Sequence, residues 1–281
     1  MIVAAFGAGI YFKDDAINYY NSFTKKVSDL KKADIGQIIS GVQKQILTAT
    51  PLNVGGVSNQ VVLLQSKIIE QTNLERQQNG DLPALKENSN LDDAAAAKAN
   101  DILKNQYFEH ISPTGVDPGK LVQSYGYEYI VAGENLILGN FSSEKEVVQD
   151  WMNSPGHRAN ILNNRYSEIG VAIIKGKYRG EDAWVGVQEF GLPLSNCSEP
   201  NVSLKNQIDS EKSQMDNLSS EINDKKNQLN STDRNSLVYS QMVDDYNNLI
   251  AQYNSLADQV KTAVSMYNDS VNNFNNCVAG K

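Results

Sequence analysis

Beyond Pro200 the apolar period of the chain changes, and no other feature narrows its folding as far. Leu204, Ile208, Met215, Leu218, Ile222 and Leu229 recur at three- and four-residue steps, interrupted by Glu211 and Lys225. Met242, Tyr246, Leu249, Tyr253, Leu256, Val260, Ala263, Tyr267 and Phe274 make a second such repeat, with Ser270 its lapse. Each repeat lays an apolar stripe along one face of a helix. The breaker-rich residues 230–236 separate them, so residues 194–281 are expected to form an antiparallel helical hairpin with a coiled-coil-like seam. The plainer alternative is a pair of amphipathic helices docked on the preceding domain. Asn, Ser and Tyr weaken the seam and leave room for a partner protein.

Cys197 and Cys277, the two cysteines of the chain, bracket this region. A turn near its middle brings them to the same end, where a disulfide would restrict the unfolded chain by about 4 kcal/mol on the loop-entropy argument. The alternative is two unrelated thiols. No third or fourth ligand is spaced near them as a zinc site requires.

The other end of the chain is organised differently. Residues 1–12 are almost wholly apolar and stop abruptly at Lys13-Asp14-Asp15. As a helix they would rise about 18 Å, short of a hydrocarbon core of roughly 30 Å. Neither a basic leading segment nor a small-residue cleavage site is evident. Three readings stand: the remnant of a membrane anchor, a buried or interfacial helix, or a divergent signal. Tyr11 and Phe12, placed where an interfacial aromatic belt sits, favour the anchor, and an extracytoplasmic location follows from it. Residues 13–48 read as helix, with Ile35, Ile38, Ile39, Val42 and Ile46 on one face. Pro51, Gly55 and Gly56 mark a linker, so residues 13–60 are expected to be a helical stalk and linker.

Between stalk and hairpin the pattern becomes globular. A helix is expected over residues 61–79 and a second from the Asn90-Leu91-Asp92-Asp93 start through the alanine run Ala94 to Ala97, ending near Tyr107. Either Ser142 or Ser143 can cap another. The β-branched and aromatic segments 166–175 and 181–190, with a Gly-containing connection, read as a hairpin of strands. Residues 61–193 are therefore an α+β domain with helices stacked on a small antiparallel sheet.

Both histidines of the chain, His110 and His157, fall in this domain. In order along it stand Tyr107-Phe108-Glu109-His110-Ile111-Ser112-Pro113-Thr114-Gly115, Ala132-Gly133-Glu134-Asn135-Leu136, Trp151-Met152-Asn153-Ser154-Pro155-Gly156-His157-Arg158-Ala159-Asn160-Ile161-Leu162, Ile169-Gly170-Val171 and Trp184 through Gly191. In that order and spacing these segments resemble the CAP superfamily of cysteine-rich secretory proteins, venom allergens and plant pathogenesis-related proteins. The Ser-Pro-Gly-His-Arg form is similar to its bacterial branch. The resemblance covers residues 61–191 and implies a three-layer α-β-α sandwich. It also implies a cleft of two histidines and two acids, mapping onto His110, His157 and Glu134. The place of the second acid, three residues past Trp151, holds Ser154, so that set is incomplete.

Two imidazoles and a carboxylate in one groove can exchange protons near neutral pH or ligate Zn²⁺ or another divalent cation, with a position left open. The alternative is that the histidines hold the groove together by hydrogen bonds. Ser112 is a candidate nucleophile by proximity alone, and Asn135 and Gln188 can supply amides to the cleft or to its framework. Trp151 and Trp184 read as core, Arg158 as the partner of a local acid, and Gly115, Gly133, Gly156 and Gly170 as turn positions.

A net charge of -8 without a Lys/Arg cluster argues against nucleic acid and against an anionic membrane surface as partner. The primary reading is a cell-surface or secreted module whose His/Glu cleft binds a cation or small ligand and whose hairpin engages a protein or envelope ligand. The rivals are a metal-assisted hydrolase acting on peptide or envelope polymer and, last, a lipid- or sterol-binding module.

Overall fold

A computed structural model describes residues 44–56 and 61–280. The expectations for residues 1–43, anchor and stalk helix included, lie outside the described residues. Among the described residues one compact unit takes in residues 44–197 and a second residues 198–280.

The first unit is built on a mixed sheet. Strands β1 (Gln45–Thr48), β2 (Leu52–Gly55), β3 (Lys86–Glu87), β4 (Tyr129–Gly139), β5 (Glu168–Tyr178) and β6 (Glu181–Pro193) are ordered β1-β4-β6-β5-β3, with β2 also on β4. β6 is antiparallel to both β4 and β5, whereas β1 and β2 run parallel to β4, end to end along one edge. The β5–β6 turn is Arg179-Gly180, both at positive φ (50° and 91°), a geometry that lets two residues reverse a twisted hairpin.

Two corrections fall at the start of this unit. Ile46, predicted on a helix face, lies in β1, and Leu52–Gly55, predicted as linker, is β2. The three–four spacing of the isoleucines matches a helix, but their last member is drawn into the sheet by pairing with β4, which no local pattern records. Residues 49–51 part the two strands at Pro51, which has no N–H to give a ladder. Pairing along this edge stops at Glu134 and resumes at Ile137.

Helices cover both faces. On one lie α1 (Gln65–Gly80) and, after α2 (Ser89–Asn105) and α3 (Pro118–Ser124) of the opposite face, α4 (Glu144–Asn153) and α5 (Pro155–Ile161). The α-β-α layering is thus the one the motifs imply. Asn88 caps α2, accepting from Asn90 N, and Ser143 caps α4, accepting from Glu146 N, each cap worth about 1 kcal/mol. The small residues of α2 let it approach the sheet until a Cβ on Gly170 would stand 2.2 Å from the Leu91 backbone. Gly170, like Gly133, therefore serves close packing inside a strand; of the four glycines read as turns, Gly115 has the positive φ. Trp151 and Trp184 are buried, as expected.

The second unit is the helical hairpin: α6 (Val202–Ser231) and α7 (Tyr239–Val278). Ile208, Met215 and Ile222 pack against Tyr253, Leu256, Val260, Ala263 and Tyr267. Asn201 N donates to Ser270 Oγ at one end and Lys225 Nζ meets Asp245 Oδ2 at 3.0 Å toward the other, which fixes the antiparallel sense. Each polar lapse in the repeats thereby has a partner: Ser270 and Lys225 bridge the helices, and Glu211 accepts from Gln207 Nε2. The two cysteines of the chain are disulfide-bonded, closing the segment between them. No helix among the described residues is long and apolar enough to cross a membrane.

Candidate functional site

Strand alternation sorts the polar residues of β4 and β6 onto opposite faces. Glu134 pairs across the ladder with Glu189, and Asn135 with Gln188. All four are fully buried. The acids face the α2 side, the amides the α1 side.

On the amide face, Asn135 Nδ2 donates to Gln188 Oε1 (3.0 Å) and to the His157 carbonyl (3.2 Å), while Gln188 Nε2 donates to Thr72 Oγ1 of α1 (2.8 Å). Asn160 Nδ2 donates to Asn135 Oδ1 (3.0 Å) and to the carbonyls of Leu47 and Glu134 (3.3 Å each). This network fastens α5 to the sheet at the break between β1 and β2. Asn135 and Gln188 thus have their hydrogen-bond partners in the framework.

On the acid face, His110 leaves the loop after α2 and places Nδ1 2.5 Å from Glu134 Oε1. Its Nε2 bonds to the Ala49 carbonyl in the gap between β1 and β2. A carbonyl only accepts, so Nε2 carries hydrogen, and one proton lies between Nδ1 and Oε1 whichever atom owns it. Glu189 is the acid that sequence reasoning missed. Burial, then the Glu134 charge beside it, push its carboxyl well above the ordinary carboxylate range. Two carboxylates cannot hydrogen-bond each other, so Glu134 Oε2 and the Glu189 oxygens have no partner unless a proton is shared. A protonated Glu189 supplies it.

His157 opens α5. Its Nδ1 lies 2.8 Å from Ser154 Oγ, and its buried Nε2 makes no hydrogen bond. Burial, with His110 nearby, lowers its pKa to about 4, so the ring is neutral at pH 7. Ser154, which stands where the family pattern has an acid, holds this imidazole.

Lys98, the second residue missed, is 3% exposed on α2. Its ammonium donates to the carbonyls of Glu109 (2.8 Å) and His110 (2.5 Å), and to Tyr107 Oη (3.3 Å). Beside it a cavity of about 230 Å³ is bounded by Ala97, Tyr107, Ser112 and Val116. Ser112 Oγ sits in the turn of that loop, bonded to Thr114 Oγ1 and Val116 N, rather than against an imidazole. Arg158 donates to Asn79 Oδ1, an amide in place of the expected acid.

In kind, these side chains suit a divalent cation: two imidazoles, two carboxyls, and buried polar atoms without hydrogen-bond partners. As they stand, no group of three His, Cys, Asp or Glu donors among the described residues is arranged to hold one. The His110–Glu134 hydrogen bond occupies the lone pairs that would ligate, so cation uptake requires that bond to open.

Residues 69–190 match the family model described as "CAP: Cysteine-rich secretory protein family". Over 111 residues the chain is 43% identical to the uncharacterized protein YkwD of Bacillus subtilis (strain 168), covering 40% of this chain and 42% of that protein. It is 28% identical over 114 residues to the uncharacterized membrane protein YlbC of the same organism, covering 41% and 32%. The chain spans less than half the length of these curated relatives. A solved structure of an extracellular protein containing a SCP domain from Bacillus anthracis str. Ames is similar over 45% of this chain and 39% of that one, with 31% identity and a TM-score of 0.39.

Proposed function

The chain is a bacterial CAP-superfamily protein whose CAP domain spans residues 69–190, and from that premise we propose that it is an extracytoplasmic binding module whose His110, Glu134 and His157 take up a divalent cation. The observation that carries this reading is His157 Nε2, buried near His110 and without a hydrogen-bond partner. Its low pKa keeps the imidazole in the neutral, ligating form. A divalent cation would supply the positive charge that the proton now supplies between Glu134 and Glu189. The disulfide supports an oxidising, extracytoplasmic compartment. In this reading the hairpin is the part that engages a protein or envelope ligand.

The test is calorimetric Zn²⁺ titration of the full chain beside folded His110→Ala and His157→Ala variants. Binding in the parent chain that is lost in both variants supports the site. No binding in the parent, or binding unchanged in both variants, overturns it.

One observation favours a second reading, hydrolysis of peptide or envelope polymer. Two carboxyls sharing a proton are an acid–base pair. Their complete burial ranks it second. A folded Glu134→Gln variant that loses a hydrolytic activity of the parent would move it to first place.

A further inference from the structure

We propose that Lys98 is a positioning residue of the His–Glu site, an internal ammonium that clamps the Glu109–His110 backbone so that the His110 ring meets Glu134. The position is one where a hydrophobic side chain would be ordinary: α2 buries Leu91, Ala94, Ala95, Ala99 and Ile102 along the same face. A buried ammonium there must be matched by acceptors, because transfer of an unpaired charge from water is costly. All three of its N–H donors go to a single stretch of chain, the carbonyls of Glu109 and His110 and the hydroxyl of Tyr107, whose ring also faces the ammonium at 5.0 Å.

Two successive carbonyls turned toward one cation fix the orientation of the peptide between them, and with it the direction in which His110 leaves the backbone. The loop enters through Gln106 at φ 57°, a left-handed conformation that a non-glycine residue holds only when its surroundings impose it. The acids facing Lys98 are Glu134 and Glu189 across the site, with Asp101 on its own helix and Glu109 on the loop. None is within ion-pair distance among the described residues, so the ammonium answers to backbone first. This holds whatever the site binds.

The experiment is ¹H–¹⁵N NMR of the imidazoles in the full chain, whose two histidines give two separable sets of signals. The parent is expected to show a strongly deshielded Nδ1 proton for His110. Lys98→Met is expected to lose that signal while the His157 signals stay in place. A folded Lys98→Met with the His110 signal intact overturns the proposal. Should that variant not fold, Lys98→Ala is titrated with propylammonium and, separately, with propanol. Return of melting temperature and His110 signal with the cation alone supports the clamp. Equal effects of the two, or no effect of propylammonium, overturn it.

Discussion

Glu134 and Glu189 are register partners on adjacent antiparallel strands, both fully buried, and a proton on Glu189 is what lets them lie together. Like charges directly opposite on a sheet are destabilising. This pair therefore ties stability to pH in a direction opposite to that of His157.

Glu189 keeps its proton in the folded chain above the pH at which the unfolded chain loses it, so stability falls as pH rises from the ordinary carboxylate range. The slope is at most about 1.4 kcal/mol per pH unit, until the folded chain also ionises. His157 acts on the other side. Its value falls from 6.5 to about 4, so its contribution is present above 6.5 and is lost as pH drops toward 4, up to about 3 kcal/mol in all. Urea denaturation from pH 4 to 9 is expected to show Glu189→Gln flattening the alkaline limb and His157→Asn the acidic one. Profiles parallel to the parent's would refute the assignment.

Gly170→Ala places a Cβ 2.2 Å from the Leu91 backbone carbon and 2.3 Å from Asp92 N. Backbone cannot give way as a side chain can, so α2 must move outward and strain the Val171 N–Asp92 Oδ1 hydrogen bond. A loss of about 3 kcal/mol is expected in chemical denaturation.

Arg76 is wholly buried and donates from Nε to the Pro83 carbonyl and from one Nη to the carbonyls of Ile161 and Asn163. Arg76→Met would leave acceptors unmatched at the end of α5, costing about 2–4 kcal/mol. Amide exchange should quicken over residues 155–161, the helix that carries His157. Unchanged exchange there would detach Arg76 from the site.

Reduction of the disulfide is expected to lower the stability of the hairpin by about 4 kcal/mol while the sheet unit keeps its pH profile. Helical ellipticity followed through melting, oxidised against reduced, checks this. Superimposable curves would rule it out.

Much of the fold could be read from short-range signals. The alanine run, the capping serines, the Gly-containing β-turn and the three–four repeats past Pro200 each specify their element locally. What escaped lies in pairing between distant segments. Strands β1 and β2 are four residues each and exist through β4. Glu189 sits within a quoted motif, yet its role comes from standing opposite Glu134, a relation of register that one strand alone does not state. An acid and an amide, Glu189 and Gln188, between the apolar segments of β6 were the available hint. Lys98 carries no mark of its role in the sequence, because its acceptors belong to a loop whose path sequence leaves open. Asn160 was quoted only as part of a motif, though it joins α5 to β1 and β4.

The link between α6 and α7 exposes Leu237 completely, which makes it the natural place for a protease to cut. Because Cys197 and Cys277 stay joined, such a cut frees no fragment. Shedding the last helix takes two chemically unlike events, hydrolysis of a peptide and reduction at sulfur, so an enzyme alone nicks this molecule without shortening it.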